Sequence, residues 1–313
     1  MYAAPPDLPT EVYATLPPAL HLMQSMSPWV RARGAGPLHS FLEGPAFDRE
    51  GGLYCTDLAH GRIFRIDPAG RFALACRYDG EPNGLKLHRD GRLFIADRRH
   101  GIMAMSPRDS RPRALLAPDE AGGLQGVNDL LFAANGDLYF TDQGDSALNR
   151  PTGRLCRLRR DAGQVETLVD GLAGPNGLAF APGERLLYLA VTRDNAIYSV
   201  PLDEAGRVGK VGRFIQLSGS PTGPDGLATD MRGNLAVVHA GLGTVWLFSA
   251  MGEPLLRIRS CAGRRTTNVV YGGPGRRTLY VTEAEQGVIL AARMPEPGLP
   301  LYAHMKKDNE ETP

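Results

Sequence analysis

The sequence has almost no net charge and no long apolar run. Its 35 Lys and Arg residues are balanced by 34 Asp and Glu residues, which leaves a net charge of +1. A protein that binds nucleic acid or an anionic membrane surface needs a basic excess, so neither partner is expected. No apolar run reaches the roughly 18 residues that a transmembrane helix requires, which predicts a protein that does not cross a membrane.

Cysteine is scarce, and residues 1–20 lack the features of a signal peptide. The four cysteines, Cys55, Cys76, Cys156 and Cys261, are far apart and form no Cys-x-x-Cys pair. This spacing argues against a zinc knuckle or a disulfide framework, so we expect reduced, mostly buried thiols. Residues 1–20 have neither a basic start nor an uninterrupted apolar stretch, and a cytoplasmic location is predicted.

Motifs of several enzyme classes are missing as well. The chain contains no Gly-x-Ser-x-Gly segment, no Walker phosphate loop and no Gly-x-Gly-x-x-Gly fingerprint. These absences disfavour serine hydrolases of the α/β type, P-loop NTPases and dinucleotide-dependent enzymes.

An internal repeat dominates what is present. Six segments open on a polar residue, at intervals of 40, 45, 48, 49 and 43 positions. Each is followed by a Gly-, Asp- or Asn-rich turn, a second apolar run such as LYCTD from Leu53, and a third run. A weaker fourth run follows in most repeats. Four short strands per repeat of this length predict an all-β fold, a six-bladed β-propeller over residues 43–294.

The two ends of the chain fall outside the repeats. The sixth repeat lacks a clear fourth strand, so the N-terminal segment, residues 1–42, is predicted to complete that blade and close the ring. Within this segment His21–Ser40 is a candidate lid, and the inserted loop Gln143–Arg154 is another. For the cluster of Met23, Met26 and Trp29 we favour packing on a blade over a lid. Residues 295–313 are predicted to form a C-terminal tail, charged and frayed from His304 onwards.

The first positions of the repeats are all polar, and the propeller geometry should bring them together around the central channel. They are Glu43, Asn83, Asn128, Asn176, Asp225 and Asn268. Crowded carboxylates are costly unless a cation or hydrogen bonds offset their repulsion. Hard oxygen ligands suit Ca²⁺ best, with Mg²⁺, Mn²⁺, Zn²⁺ and Fe²⁺ also compatible. The alternative is that Asn-Gly and Asp-Gly serve local turns, but Glu43 forms such turns poorly, which favours a metal.

Four of these segments resemble motifs of a known family. They are LEGPAFD at Leu42–Asp48, VNDLLF at Val127–Phe132, GPNGLAF at Gly174–Phe180 and GPDGLA at Gly223–Ala228. They resemble the regucalcin (senescence marker protein)/gluconolactonase family of six-bladed propeller lactonases, and the resemblance covers nearly all of residues 40–290. It implies one catalytic divalent metal at the channel mouth, held by Glu43, Asn176 and Asp225. It makes Asn128 a ligand or a substrate contact, and it leaves Asn83 and Asn268 as lining.

The resemblance implies hydrolysis of a small lactone, derived from a sugar acid or another hydroxy acid. No obligate protein partner is inferred from the sequence. Our hypothesis is that the metal polarises the ring carbonyl while Asp225 acts as the base for water attack. A bound cation weakens a carboxylate as a base, so metal-bound hydroxide is the alternative, and Glu43 is assigned to the metal only. The residues predicted to bind substrate are Asn83, Asn128, Arg98, His100 and Asn268.

Arginines predicted around the mouth suggest that the substrate or its product carries a carboxylate. They are Arg98, Arg99, Arg193, Arg264 and Arg265. From sequence alone we weigh a simple role in solubility slightly higher. Two other functions stay open: organophosphate or phosphotriester hydrolysis by the same metal, and a non-enzymatic calcium-binding propeller.

Overall fold

A computed structural model describes residues 4–24, 26–32, 34, 36–119, 122–161 and 163–305. The chain begins with two short strands, β1 (Asp7–Pro9) and β2 (Glu11–Thr15), followed by one helical turn and a short helix, α1 (Pro28–Ala32). The remaining strands fall into six sheets. Single 3₁₀ turns lie at Pro18–Leu20, Thr192–Asp194, Pro274–Arg276 and Tyr302–His304.

The sheets are the blades of a propeller. Within each repeat the first strand is the innermost, and the following strands lie successively further from the channel. Blade 1 holds β3 (Leu42–Phe47), β4 (Leu53–Asp57), β5 (Arg62–Ile66) and β6 (Phe72–Arg77). Blade 2 holds β7 (Pro82–Leu87), β8 (Leu93–Asp97), β9 (Gly101–Met105) and β10 (Arg113–Leu116). Blade 3 holds β11 (Val127–Phe132), β12 (Leu138–Asp142), β13 (Gly153–Leu158) and β14 (Val165–Leu172).

Blade 4 holds β15 (Pro175–Phe180), β16 (Leu186–Val191), β17 (Ala196–Pro201) and β18 (Gly212–Gln216). Blade 5 holds β19 (Gly223–Thr229), β20 (Leu235–Ala240), β21 (Thr244–Phe248) and β22 (Pro254–Arg259). Blade 6 has only β23 (Thr266–Gly272), β24 (Thr278–Glu283) and β25 (Val288–Arg293) from its own repeat. The predicted six-bladed β-propeller is confirmed.

The N-terminal strands are added to the last two blades. β2 lies antiparallel to β25, with Val12 opposite Leu290, and supplies the outer strand of blade 6. β1 lies parallel to β22, with Leu8 opposite Ile258, and gives blade 5 a fifth strand. Strands from the start of the chain thus pair with strands of the last two blades. Backbone hydrogen bonds therefore close the ring together with side-chain packing.

The blades are held together by apolar contact between neighbours. The second strands are almost continuously apolar because both of their faces are covered by adjacent blades; all five residues of β4, β8 and β12 are buried. Six apolar clusters fill the six junctions between blades. The outermost strands are exposed and less apolar, as the weak fourth run in each repeat indicates.

Two segments outside the repeats pack on the propeller. Trp29 and Val30 of α1 are buried against Leu58 and Ala59, with Met26 beside them, which agrees with the packing interpretation for Trp29 and Met26. Met23 is 51% exposed and does not join this cluster, so the interpretation is wrong for that residue. Residues 299–302 and Met305 line one cavity with the C-terminal halves of the innermost strands, at the end of the channel away from the repeat starts. Tyr302 stacks on Phe132 there, with ring centroids 5.2 Å apart. The chain is therefore packed up to Met305, and residues 306–313 lie outside the described residues.

Two sequence expectations about the whole chain can be compared with the structure. Cys55, Cys76 and Cys156 are buried and Cys261 is exposed, all as free thiols. None of the described helices is long and apolar enough to cross a membrane.

A buried hydroxyl ties blade 6 to blade 1, and its removal should weaken the ring. Thr267 donates a hydrogen bond to the carbonyl of Leu42 at 2.8 Å and also contacts the hydroxyl of Thr282. Thr267→Val keeps the shape but removes the donor to the Leu42 carbonyl and the contact with Thr282, so we expect the free energy of unfolding to fall by about 1–2 kcal/mol. Chemical denaturation measures it. Thr15→Val, on the exposed edge of β2, should change stability little, and equal effects of the two would contradict this account.

Candidate functional site

A β-bulge interrupts the innermost strand of every blade at the same place. The pairing register shifts after Glu43 in blade 1, after Val127 in blade 3 and after Pro224 in blade 5. The same shift occurs in blades 2, 4 and 6. A bulge leaves a residue out of the ladder and re-aims its side chain. Each polar residue that begins a repeat lies at such a bulge, so the motif positions and the irregular backbone coincide.

Glycine follows the polar residue where neighbouring innermost strands approach most closely. A Cβ added to Gly177 would lie 2.4 Å from the carbonyl oxygen of Asp225, and one added to Gly226 would lie 2.3 Å from Oδ1 of Asn268. Any side chain at these two positions would push the blades apart. The Asn-Gly and Asp-Gly pairs therefore allow the convergence of the blades, in addition to any role in local turns.

The structure gathers the predicted residues at one end of the channel. Glu43, Asn83, Asn128, Asn176 and Asn268 are buried, whereas Asp225 is half-buried. Asp225 is also the only one of the six that lines the open pocket above the channel, among the described residues. This position makes it the predicted residue that a dissolved substrate reaches first.

Side-chain hydrogen bonds distinguish Asn268 from Asn128 and Asn176. The amide nitrogen of Asn128 donates to Oε1 of Gln143 at 3.2 Å, and that of Asn176 donates to Oγ1 of Thr192 at 3.1 Å. In the described part of the chain neither amide oxygen accepts a hydrogen bond, so both are available as ligands. Asn268 differs because its oxygen accepts from the Val269 N–H and its nitrogen donates to Asp129. Asn268 is thus committed within the protein.

Two further channel residues, Asp129 and Lys86, were not predicted from the sequence. Nζ of Lys86 lies 3.3 Å from Oδ1 of Asp129, and the side chains are only 12% and 3% exposed. Oδ2 of Asp129 accepts from Nδ2 of Asn268 at 3.3 Å, which joins blade 3 to blade 6 across the channel. Two departures from the repeat could have indicated them. Asp129 stands where three other repeats have Gly after Asn or Asp, and Lys86 stands where the other repeats have Ala, Leu or Tyr.

Two carboxyl groups of the channel, Glu43 and Asp225, are hard to ionise without a cation. Burial raises the pKa of Glu43 to about 8, and the charge of Asp129 adds to the rise, although the Gly44 N–H, Asn268 and Lys86 oppose it. Burial and the charges of Glu43 and Asp129 raise the pKa of Asp225 well above its ordinary range, against a hydrogen bond from Asn176. A cation placed among these groups would lower both pKa values.

The donor set fits a divalent cation. Two carboxylates, from Glu43 and Asp225, and two uncommitted amide oxygens, from Asn128 and Asn176, are hard ligands of the kind Ca²⁺ and Mg²⁺ prefer. Within the described residues, no group of three or more His, Cys, Asp or Glu side chains forms a metal site. The candidate site therefore depends on the amides, and Thr192 and Gln143 orient those amides from behind.

Arg98 and His100, which we predicted to bind substrate, are engaged in local contacts at the mouth. Arg98 donates to Oδ1 of Asp145 at 2.5 Å and lies 3.7 Å from Glu81. Nε2 of His100 donates to the carbonyl of Asp79 at 2.6 Å. These contacts tie the loops of blade 2 to the inserted loop of blade 3. A role in substrate binding stays a prediction for both residues.

Acidic residues that end several second strands anchor the mouth loops. Oδ1 of Asp57 accepts from the Phe41 N–H at 2.7 Å, and Oδ1 of Asp142 accepts from the N–H groups of Gln125 and Gly126 at 2.8 Å. Asp97 and Glu283 bind backbone N–H groups in the same way. The repeated acid of LYCTD, LFIAD, LYFTD and LYVTE thus positions the loops that lead into the channel strands.

The fold and the donor set define a six-bladed propeller with a polar, cation-compatible centre at one end of its channel. Residues 41–285 match the family described as the SMP-30/Gluconolactonase/LRE-like region, and the chain belongs to this family. This confirms the resemblance that the motifs predicted. The lactonase drp35 of Staphylococcus epidermidis is 28% identical over 243 residues, which cover 74% of this chain and 72% of that protein.

Two solved structures show the same fold. The calcium-binding protein regucalcin from Agrobacterium tumefaciens matches with a TM-score of 0.75 and 20% identity, over 96% of this chain and 99% of its own. A gluconolactonase from Xanthomonas campestris matches with a TM-score of 0.72 and 22% identity, over 94% of this chain and 99% of its own.

Proposed function

We propose that this protein is a metal-dependent lactonase, which hydrolyses the ring ester of a small lactone. The observation that carries the proposal is the half-buried Asp225, which lies both in the oxygen donor set and in the open pocket. Membership of the SMP-30/gluconolactonase family and the similarity to a lactonase support the reaction class. An open side of the donor set suits an enzyme better than a purely structural calcium site.

We infer that the cofactor is one divalent cation, with Ca²⁺ first and Mg²⁺, Mn²⁺, Zn²⁺ or Fe²⁺ as alternatives. Glu43, Asn128, Asn176 and Asp225 would hold it. When bound, such a cation polarises a carbonyl oxygen and stabilises the negative charge that develops on it. The all-oxygen donor set supports Ca²⁺, and so does the similarity in fold to a protein described as calcium-binding.

The protein's own groups supply orientation and proton transfer. Asp225 is proposed to accept the proton of the attacking water, because it is the carboxylate of the donor set that lines the pocket. Asn176 hydrogen-bonds Asp225, and Thr192 in turn accepts from Asn176, so the carboxylate is held in place. Burial and the charges of Glu43 and Asp129 raise its pKa, which opposes the lowering that a cation brings and preserves basicity.

A panel of lactones tests the proposal directly. The panel contains aldonolactones, neutral γ- and δ-lactones, carboxylated lactones and, as a separate arm, a phosphotriester. Hydrolysis is followed with a pH indicator, first on metal-stripped protein and then after each cation is restored. We expect no turnover without metal and turnover of lactones with Ca²⁺ or one of the alternatives.

The other outcomes refute parts of the proposal. Lactone turnover that survives complete removal of the metal would refute the metal dependence. Turnover of the phosphotriester alone would assign the site to organophosphate hydrolysis. Tight cation binding without turnover of any ester would identify a non-enzymatic calcium-binding propeller.

A further inference from the structure

Two neighbouring arginines beside Asp225 have no ionic partner among the residues that the structure describes. Arg264 and Arg265 are exposed, and both line the pocket that contains Asp225. Two other arginines of the mouth are neutralised, since Arg98 pairs with Asp145 and Arg99 pairs with Asp79 at 2.5 Å, whereas Arg193 is exposed and does not line this pocket. In the part of the chain that the structure describes, neither Arg264 nor Arg265 forms an ion pair. Their positive charge is therefore available to a ligand in the pocket, because no acidic side chain of the described residues neutralises it.

The backbone that carries this pair is fixed from two sides. The Arg264 N–H donates to Oε2 of Glu285 at 2.7 Å, and its carbonyl accepts from the Gly243 N–H at 2.9 Å. The Arg265 carbonyl accepts from the Ala284 N–H at 2.9 Å. Glu285 is the only other carboxylate that lines the pocket besides Asp225, among described residues, and it binds this backbone instead of a guanidinium. A fixed backbone lowers the entropic cost of ordering the two side chains on a ligand.

One wall of the pocket, next to Arg265, is apolar. Trp29, Leu38 and Phe41 from the N-terminal segment line it together with Pro221. The guanidinium of Arg265 lies 6.0 Å from the centroid of the Phe41 ring, so the cationic and the aromatic surfaces meet. Hydroxyls of a sugar lactone that faced this wall would be left without hydrogen-bonding partners, so the wall suits an apolar ring face better.

We infer that the substrate is a lactone with an apolar ring face and a carboxylate substituent, and that Arg264 and Arg265 bind the carboxylate. The inference rests on the proposed lactonase function and specifies the substrate class of the same site. Guanidinium groups recognise carboxylates through paired, charge-assisted hydrogen bonds. The apolar wall selects against phosphorylated sugar lactones for the same reason that it selects against sugars.

Binding of a non-hydrolysable analogue tests this inference without requiring turnover. Pyroglutamate is a γ-lactam with a carboxylate, and pyroglutamide is its neutral counterpart. Calorimetry on the full chain with Ca²⁺ should show that pyroglutamate binds at least about tenfold more tightly. In the double variant Arg264→Gln/Arg265→Gln the preference should disappear, with the affinity for pyroglutamide unchanged.

A matched double variant controls for the loss of two positive charges. Arg71 and Arg207 are exposed, pair with Asp67 and Asp203, and lie on turns after third strands at the other end of the blades. Arg71→Gln/Arg207→Gln should keep the preference for pyroglutamate. Equal affinities of the two lactams for the unmodified protein would overturn the inference, as would a preference that persists in Arg264→Gln/Arg265→Gln. Hydrolysis of a neutral γ-lactone, measured separately, tests the lactonase proposal alone.

Discussion

Asp225→Asn is expected to lower kcat/KM for every lactone that the unmodified protein hydrolyses by about 10²–10⁴-fold, the usual contribution of a general base. Asparagine has the same size and keeps one oxygen for a cation and one contact for Asn176. It cannot accept the proton of the attacking water. Because Asp225 is the donor-set carboxylate that the open pocket reaches, no other donor-set residue can take over this step.

The metal must be measured in the same variant, because Asp225 is proposed both to bind the cation and to accept the proton. Calorimetric titration gives the affinity for Ca²⁺, and turnover is then compared at saturating Ca²⁺. Asp203→Asn makes the same chemical change on an exposed turn, where Asp203 pairs only with Arg207 among described residues, and should leave activity unchanged. Full turnover of Asp225→Asn with the cation bound would contradict the base assignment and favour water activated by the cation.

The propeller was predictable because its information is periodic. Each repeat carries the same succession of apolar runs and turns, and apolar packing between neighbours requires that succession in every blade. β1 was not predictable, since three residues carry no period and pair in parallel with a strand about 250 residues away along the chain. The packing of residues 299–305 also has no signal in the repeats, because it depends on the space left at the end of the channel.

The candidate site was predictable to the extent that it follows the repeat. Glu43, Asn128, Asn176 and Asp225 occupy equivalent positions, so the fold itself brings them to one end of the channel. Asp129 and Lys86 are departures from the repeat, and their ion pair depends on how two different blades face each other. Sequence spacing likewise could not show that Arg98 pairs with Asp145, whereas Arg264 and Arg265 pair with no acidic side chain in the described part of the chain. Ion pairs between loops are decided by tertiary structure.

Removal of the divalent cation is expected to make the protein lose stability as the pH rises from about 5 to 8. Without a cation, the folded protein keeps Glu43 protonated up to its raised pKa of about 8, whereas the unfolded chain ionises it near 4.5. Between these values the folded state binds more protons, so the free energy of unfolding falls as the pH rises. Each pH unit in this window costs up to about 1.4 kcal/mol. Asp225, whose pKa is raised too, changes stability in the same direction.

A bound cation should abolish this pH dependence, because it favours the charged forms of Glu43 and Asp225 and returns their pKa values to the ordinary range or below. The Tm of metal-stripped protein, measured by calorimetry between pH 5 and 8, should therefore fall with pH and recover on addition of Ca²⁺, most strongly at pH 8. Glu43→Gln removes the titrating group, so the metal-free variant should show a shallower pH dependence and a weaker response to Ca²⁺.

Glu50→Gln provides the control, because the Glu50 side chain is 85% exposed and its replacement should leave both profiles unchanged. A metal-free Tm that does not depend on pH between 5 and 8 would show that Glu43 and Asp225 ionise normally without a cation. The charge argument for a metal centre would then fail. A metal-free Tm that falls with pH and does not recover with any divalent cation would show that the pKa values of the carboxyl groups are raised. It would also refute their role as metal ligands. The burial of Glu43 and Asp225, together with the charge of Asp129 beside them, is thus a stability cost of the metal-free protein once they ionise, and we expect cation binding to convert it into affinity.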